Sequence, residues 1–348
     1  MEFFNKPRVW IAISLVFAIF LVFFAGASLL DVFVIEHDSN EDVIIEAVDF
    51  GTQNETMASM QVAELESAAA VASGNVNTNT NNKQTTADSK SDKISVVKQV
   101  GAYSNDNVSI VITEKLFTVG SDKTTYFVVD IKVSSAQYLK TALASGDKLT
   151  TNKTETVANI ASAKNAILAI NGDGCGQSKR TTGYVVRDGV TYRSAARGSS
   201  GDTEALVIHG DGNMSVIDER KTSLDSVENK WQVFSFGPAL IKNGVISVTS
   251  KQEISGQSMA DNPRTSIGMV EPLHYVIIVG NGRTNASKGL TLYQLAEALV
   301  YEGCTVGYNL DGGGSSTLWF NGKVINYPTT NGGKYSEREV SDIVYIEK

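Results

Sequence analysis

Two short stretches put side chains able to do chemistry at the glycine-rich ends of apolar runs. "YNLDGGGSST" sets Asn309 and Asp311 two residues apart, followed by Gly312, Gly313 and Gly314 and then by Ser315, Ser316 and Thr317. "INGDGCG" repeats the pattern with Asn171 and Asp173 among Gly172, Gly174 and Gly176. On an extended chain, residues two apart share a side. Glycines let a backbone approach a ligand and offer N–H donors to an anion. Two such loops brought together supply a pair of carboxylates. Glycosidic bond cleavage usually needs that pair, one near the anomeric carbon and one handling protons. The plainer alternative for each stretch is a tight turn capped by an aspartate.

Several other chemistries fall away. A nucleotide-type phosphate loop needs a lysine before its Ser/Thr, and here Ser315 and Ser316 stand between Gly314 and Thr317. A hydrolase nucleophile elbow needs GxSxG, which "GGGSST" does not supply. The histidines are His37, His209 and His274; the last two bound apolar strands and read as structural. Neither HExxH nor paired-cysteine spacing occurs. No cofactor is expected, although acidic loops leave room for a divalent cation such as calcium. The net charge of −8 without a basic block argues against a nucleic-acid partner.

Cations come from "NPRTSIGM" and "VGNGRTNASKGL", where Arg264 precedes one apolar strand and Arg283 follows another. Arginine is the preferred bidentate partner of phosphate. Each could equally tie a loop or make a surface ion pair. "SEREVSD" puts Arg338 and Asp342 just before the last strand. It reads either as a loop closing over a site or as a salt-bridged turn.

The elements around these loops are mostly strands. Asp188-Gly189, Asp211-Gly212, Asn243-Gly244 and Asn321-Gly322 sit between apolar runs and suit type I′ hairpin turns. A helix is expected over Leu292–Glu302. Thr291 is its N-cap, Gln294 completes a capping box, Leu290 and Leu295 form a staple, and Gly303 stands at C′. Its apolar face is Leu292, Leu295, Ala296, Leu299 and Val300. A second helix is expected over Glu155–Ala163. Both lead into apolar strands that end in the two glycine-rich loops. The fold class is α+β: a large mixed or antiparallel sheet with a few helices.

The N-terminal third differs. Val9–Leu30 carries no charged residue and would span about 33 Å as a helix, enough to cross a bilayer core. It is longer than a signal-peptide core, and "FAGASLL" is a weak cleavage site. Lys6 and Arg8 precede it and five acidic residues follow soon after. The expectation is a cytoplasmic segment at 1–8, a single transmembrane anchor at 9–30 and an extracellular remainder. Residues 31–104, with "NVNTNTNNKQTTADSKSD" as the extreme, read as a low-complexity, disordered stalk. The folded domain is placed at 105–348.

In order, "AINGD", "GYVVRDGVTYR", "FSFGPALIKNG", "NPRTSIGM", "HYVIIVGNGRTNASKGLTLYQLAEAL", "GCTVGYNLDGGGSST", "NGKVINYPTTNG" and "SEREVSDIVYI" resemble the phosphodiester glycosidase family over roughly residues 105–347. The resemblance implies hydrolysis of a sugar-1-phosphodiester to free sugar and a phosphomonoester. By position it implies a site of Asn171 and Asp173, of Arg264 and Arg283, and of Asn309, Asp311, Gly312, Gly313 and Ser315. Asp311 and Asp173 would be catalytic, and the arginines, with Arg338, would hold the phosphate. Bacterial members are often exopolysaccharide-related, so a sugar-phosphate glycan or cell-envelope polymer is the implied partner. One departure stands out: Gly174 and Cys175 replace the aromatics that follow "NGD" in similar bacterial members. Cys175 and Cys304 flank the inferred loops, so a disulfide between them stays open, as do two free thiols. The alternative function is a weakly active or non-catalytic polysaccharide-binding or assembly protein.

Overall fold

Short alternating runs closed by Asn-Gly and Asp-Gly pairs favour hairpins over helices, and strands dominate the computed structural model. It describes residues 93–177, 180–198, 202–249, 260–330 and 333–348. In chain order the elements begin β1 (Lys93–Ser104), β2 (Val108–Val119), β3 (Asp122–Val133), β4 (Lys140–Leu143), α1 (Val157–Ala163) and β5 (Ala166–Asn171). Next come β6 (Val185–Arg187), β7 (Val190–Arg193), β8 (Glu204–His209), β9 (Met214–Asp218), β10 (Lys230–Phe234), β11 (Ala239–Lys242) and β12 (Val245–Ile246). The last group is β13 (Arg264–Glu271), β14 (His274–Gly280), α2 (Leu292–Tyr301), β15 (Val306–Asn309), β16 (Leu318–Phe320), β17 (Lys323–Val324) and β18 (Asp342–Glu347).

The expected single large sheet is instead three. Their orders are β1-β2-β3-β14-β13-β15-β11-β12, β7-β6-β10-β8-β9 and β17-β16-β5-β18-β4. Every described ladder is antiparallel. One core joins the three sheets: Ile110, Val129, Ile131 and Ile277 from the first, Leu206, Ile208 and Phe234 from the second, Leu168, Ile170 and Val344 from the third. Helix α2 covers the outer face of the first sheet through Leu292, Leu295, Ala296 and Leu299. Helix α1 covers the third through Val157, Ile160 and Ala161. Each buried valine, leucine, isoleucine or phenylalanine among these contributes roughly 1.5–3 kcal/mol by leaving water. That burial holds the sheets at fixed angles, and their ends converge on the glycine-rich loops.

Helix α2 forms as expected. Thr291 and Gln294 make both halves of the capping box, and Gly303 takes a φ of +82°. Val300 does not join the apolar face; it is 41% exposed, and Ala298 is buried instead. Three of the four hairpin pairs have positive φ at both residues, but at Asp211-Gly212 only the glycine does. There β8 and β9 are four residues apart, from His209 to Met214, so the two-residue turn is replaced by a longer loop.

The expected stalk boundary at 104 is corrected, because β1 already pairs along β2 from Lys93. Register shifts between Val96 and Lys98 and between Gln99 and Gly101 break the period-two pattern. An edge strand with two bulges does not read as a strand from hydropathy. The expected anchor at 9–30 and the rest of the stalk lie outside the described residues. Among the described residues no helix is long and apolar enough to cross a membrane.

Candidate functional site

The joint between the first and third sheets is Asn171, the last residue of β5 and fully buried. Its Nδ2 donates to the backbone O of Asp311 at 2.6 Å. Its Oδ1 accepts from the Thr265 hydroxyl at 2.8 Å and the Thr317 N–H at 3.3 Å. The Asp311 N–H in turn donates to Gly172 O at 3.3 Å. The two Asn-x-Asp loops are therefore tied together, as their shared pattern suggested. Asn171 acts as the tie and is shut away from solvent.

Asp311 carries the less buried of the two loop carboxylates, with its side chain 11% exposed. It accepts from Gln177 Nε2 at 2.9 Å, from the Ser315 hydroxyl at 2.8 Å and from Arg338 Nη2 at 3.1 Å. Arg338 also donates to Ser315 Oγ through Nε at 2.9 Å and to Gly312 O at 3.1 Å. Burial pushes the Asp311 carboxyl above its ordinary range, against the opposing pull of Arg338 and the Ser315 hydroxyl. Ser315 therefore bridges a carboxylate and a guanidinium, and among the described residues His209 and His274 bond elsewhere, to Glu228 O, Ser215 and Asp130. The segment "SEREVSD" splits its charges: Glu337 Oε1 accepts from Ala158 N–H at the start of α1, while Arg338 turns to Asp311.

Asp173 does not line the same surface. It is fully buried, with Oδ1 on Arg187 Nη2 at 2.6 Å and Oδ2 accepting from Ser235 N–H at 2.8 Å. The same Arg187 nitrogen donates to Asp342 Oδ2 at 3.0 Å. Asp342 Oδ1 also accepts from the Gly174 N–H at 3.1 Å and the Ser341 hydroxyl at 3.1 Å. This buried Asp–Arg–Asp group joins the second and third sheets directly behind the first loop. Burial alone would raise Asp173, but Arg187, Arg180 and the Ser235 N–H hold it below the usual carboxylate range. Asp342 goes the other way, raised by burial and by the Asp173 charge beside it.

Asp173, Cys175 and Asp342 are the one cluster of three potential metal ligands among the described residues. It does not fit a cation. Arg187 already places a guanidinium between both carboxylates, and burial pushes the Cys175 thiol well up, away from the thiolate a metal needs.

Three arginines surround the glycines of the second loop. Arg338 bonds to Gly312 O. A Cβ on Gly313 would lie 2.8 Å from Arg283 Nη2. Arg264, at the start of β13, donates to Leu290 O at 3.0 Å and Ala260 O at 2.9 Å. Burial, then the neighbouring Arg283 charge, brings Arg264 down to about 10 despite Asp261. Burial and then the Arg338 charge lower Arg283. Arg283 holds a φ of +62°, a strained backbone for a side chain of its size. It donates to Thr329 O and Thr330 O at 3.1 and 3.0 Å. The Gly313 N–H is already spent on Pro263 O at 2.8 Å, so the glycines present close backbone more than free donors. Asn309 is buried and turned to Gly237 O at 2.8 Å, with its Oδ1 unpartnered.

Sequence reasoning did not single out Gln177, Arg180, Arg187 or Ser235. Arg187 sits beside the Asp188-Gly189 hairpin, where an arginine reads as surface; the strand's buried neighbours Val185 and Val186 were the only signal.

The two cysteines are free and buried in separate clusters, Cys175 with Leu143 and Val185, Cys304 beneath α2 with Leu295 and Leu299. The disulfide left open by the sequence is not formed. The Gly174 departure also has a structural basis. Gly174 adopts a φ of +67°, and a Cβ there would come within 2.5 Å of Gln177 Nε2. Gly174→Phe is therefore expected to cost about 1–2 kcal/mol from backbone conformation, read as a lower Tm. It should also displace Gln177 from Asp311.

Known proteins are similar to this chain. The phosphodiester glycosidase family model matches residues 164–347. A SPbeta prophage-derived uncharacterized protein, YomE, of Bacillus subtilis is 34% identical over 179 residues, covering 51% of this chain and 28% of that protein. The N-acetylglucosamine-1-phosphodiester alpha-N-acetylglucosaminidase of Mus musculus is 30% identical over 117 residues, covering 30% of this chain and 22% of the mouse protein. The chain thus spans under a third of the length of either relative. The catalytic domain of the zebrafish enzyme of that name, auto-inhibited by its pro-peptide, superposes with a TM-score of 0.57 at 20% identity. The superposition covers 74% of this chain and 88% of that one, and shows a common fold.

Proposed function

Because the chain belongs to the phosphodiester glycosidase family, we propose that it hydrolyses a sugar-1-phosphodiester, releasing the sugar and leaving a phosphomonoester. The observation that carries this reading is Asp311: a nearly buried carboxylate whose partners are Arg338, Ser315 and Gln177, beside two further arginines. A phosphate leaves as a stable anion, so strong protonation by a general acid matters less than in ordinary glycosidases. Electrostatic holding of the phosphate matters more. Asp311 stabilises the developing oxocarbenium ion or activates its attacker. Arg338 and Arg283 hold the phosphate, with Arg264 adding positive charge from behind. Asp173, with both oxygens already engaged, fixes the first loop and does not meet the reacting atoms.

The uncharged run at 9–30 supports a single-pass anchor with its N-terminus in the cytoplasm and this domain extracellular. The substrate is then a sugar-phosphate glycan or envelope polymer, as in exopolysaccharides. The mouse relative's name makes N-acetylglucosamine the first sugar to test. The full-length protein, incubated with a panel of sugar-1-phosphodiesters, is expected to release free sugar and phosphomonoester in equal amounts. No release from any of them would leave polysaccharide binding as the function.

A further inference from the structure

Tyr327 and Tyr335 are large aromatic residues left 44% and 52% exposed. Their rings form a corner, with centroids 5.5 Å apart and planes crossing at 72°. Hydrogen bonds that each engage at least one backbone group build this corner. Tyr327 Oη accepts from the Tyr335 N–H at 3.0 Å, the Ser336 N–H donates to Pro328 O at 2.9 Å, and the Thr330 hydroxyl donates to Ser336 O at 2.7 Å. Residues 327–330 and 335–336 are thus cross-tied into one ledge.

The ledge is fixed to the arginines of the candidate site. Arg283 donates to Thr329 O and Thr330 O, the Thr329 hydroxyl donates back to Gly282 O at 3.0 Å, and the Tyr327 N–H donates to Asn281 Oδ1 at 2.8 Å. Arg338 follows Tyr335 by three residues, about 10 Å of extended chain. Asp311 bonds to Arg338, the Arg338 charge is felt at Arg283, and Arg283 bonds to the ledge. A phosphate held by the arginines would turn its sugar ester towards Asp311 and its other ester towards the tyrosines.

Aromatic rings with a polar tip are suited to surfaces where one side is apolar and the other wet. A pyranose offers the complement: an apolar C–H face and a rim of hydroxyls. Tyr327 Oη receives the Tyr335 N–H on a lone pair, which leaves its own proton to donate. At 72° the two rings meet edge to face and do not form a parallel platform of the kind on which successive planar bases stack. We infer that Tyr327 and Tyr335 form an acceptor-side platform that stacks on a sugar ring attached through the phosphate. This rests on the phosphodiester reading of the Asp311 site and names the class of acceptor it takes: a glycan.

The test compares two diesters of the same donor sugar, one with an oligosaccharide acceptor and one with a methyl group. The full-length protein is expected to favour the oligosaccharide in kcat/KM. Tyr335→Ala should shrink that ratio about tenfold through KM, and Tyr335→Trp, which keeps a ring, should retain it. A ratio unmoved by Tyr335→Ala overturns the platform, and a tenfold loss seen equally with a uridine acceptor overturns its assignment to glycans. Binding of a neutral oligosaccharide, followed by tyrosine fluorescence, reads the ledge without turnover. Binding that depends on Tyr335 in a chain that hydrolyses no diester would sink the proposed reaction and keep the platform.

Discussion

Asp311→Asn is expected to cut sugar release on the order of a thousandfold, the scale seen when one transition-state electrostatic contact is removed. Asparagine keeps the size of the side chain and an oxygen that can accept from Gln177, Ser315 or Arg338. It removes the charge that a forming oxocarbenium ion would feel. The partner left behind, Arg338, has its side chain 41% exposed, so water solvates it and the fold loses little. A Tm close to wild type with activity lost is the expected pair of results. Retained release would remove Asp311 from the mechanism.

The same carboxylate should set the acid limb of the pH profile. Burial raises Asp311 and Arg338 opposes that rise. The ionised form is the active one, so kcat/KM should fall as pH drops through the raised value. Arg338→Gln removes the opposing charge, the carboxyl rises further, and the limb should move to higher pH. A limb that stays in place would mean that another group controls it.

What was legible in the sequence was local. The capping box of α2 and three of the four two-residue turns are set by neighbours in the chain, and the structure holds them as read. The pairing of the two Asn-x-Asp loops was also legible, because both end apolar strands that follow a helix. The division into three sheets was not, since alternation within a strand says nothing about which sheet it joins. The different fates of the two aspartates were equally hidden. "NGD" and "NLD" look alike, but Gly172–Gly174 runs inward to Arg187 while the second loop turns out to Arg338. Only the meeting of β6, β10 and β18 behind the first loop decides that. Strand β1 was lost to its two bulges, which erase the period a strand is recognised by.

Arg187→Met is expected to cost about 3–5 kcal/mol, the penalty for leaving buried charge without its partner. A domain of this kind has roughly 5–15 kcal/mol in all, so partial unfolding near room temperature is within reach. Arg187 is 3% exposed and serves Asp173 and Asp342 through one nitrogen, with its Nη1 on Val186 O and Val233 O. Its guanidinium also lies 4.4 Å from the Phe234 ring centroid. Methionine fills similar space but answers neither carboxylate. In the wild type the depressed Asp173 contributes stability above its unfolded pKa, lost as pH falls through the folded value, while the raised Asp342 costs stability as it ionises. Without Arg187 both carboxyls rise, through burial and mutual repulsion. The folded variant then binds more protons than the unfolded chain, so its stability falls as pH rises. The deficit should be largest near neutrality and should narrow on acidification towards the ordinary aspartate pKa of about 3.9. Denaturant titrations across that window measure it directly. Converting both aspartates to asparagine in the Met background should recover much of the loss, because no buried charge then remains to be answered. A deficit that is independent of pH, or that survives removal of both carboxylates, would mean that Arg187 acts through packing on Phe234 and the strand carbonyls and not as the counter-ion of the first loop.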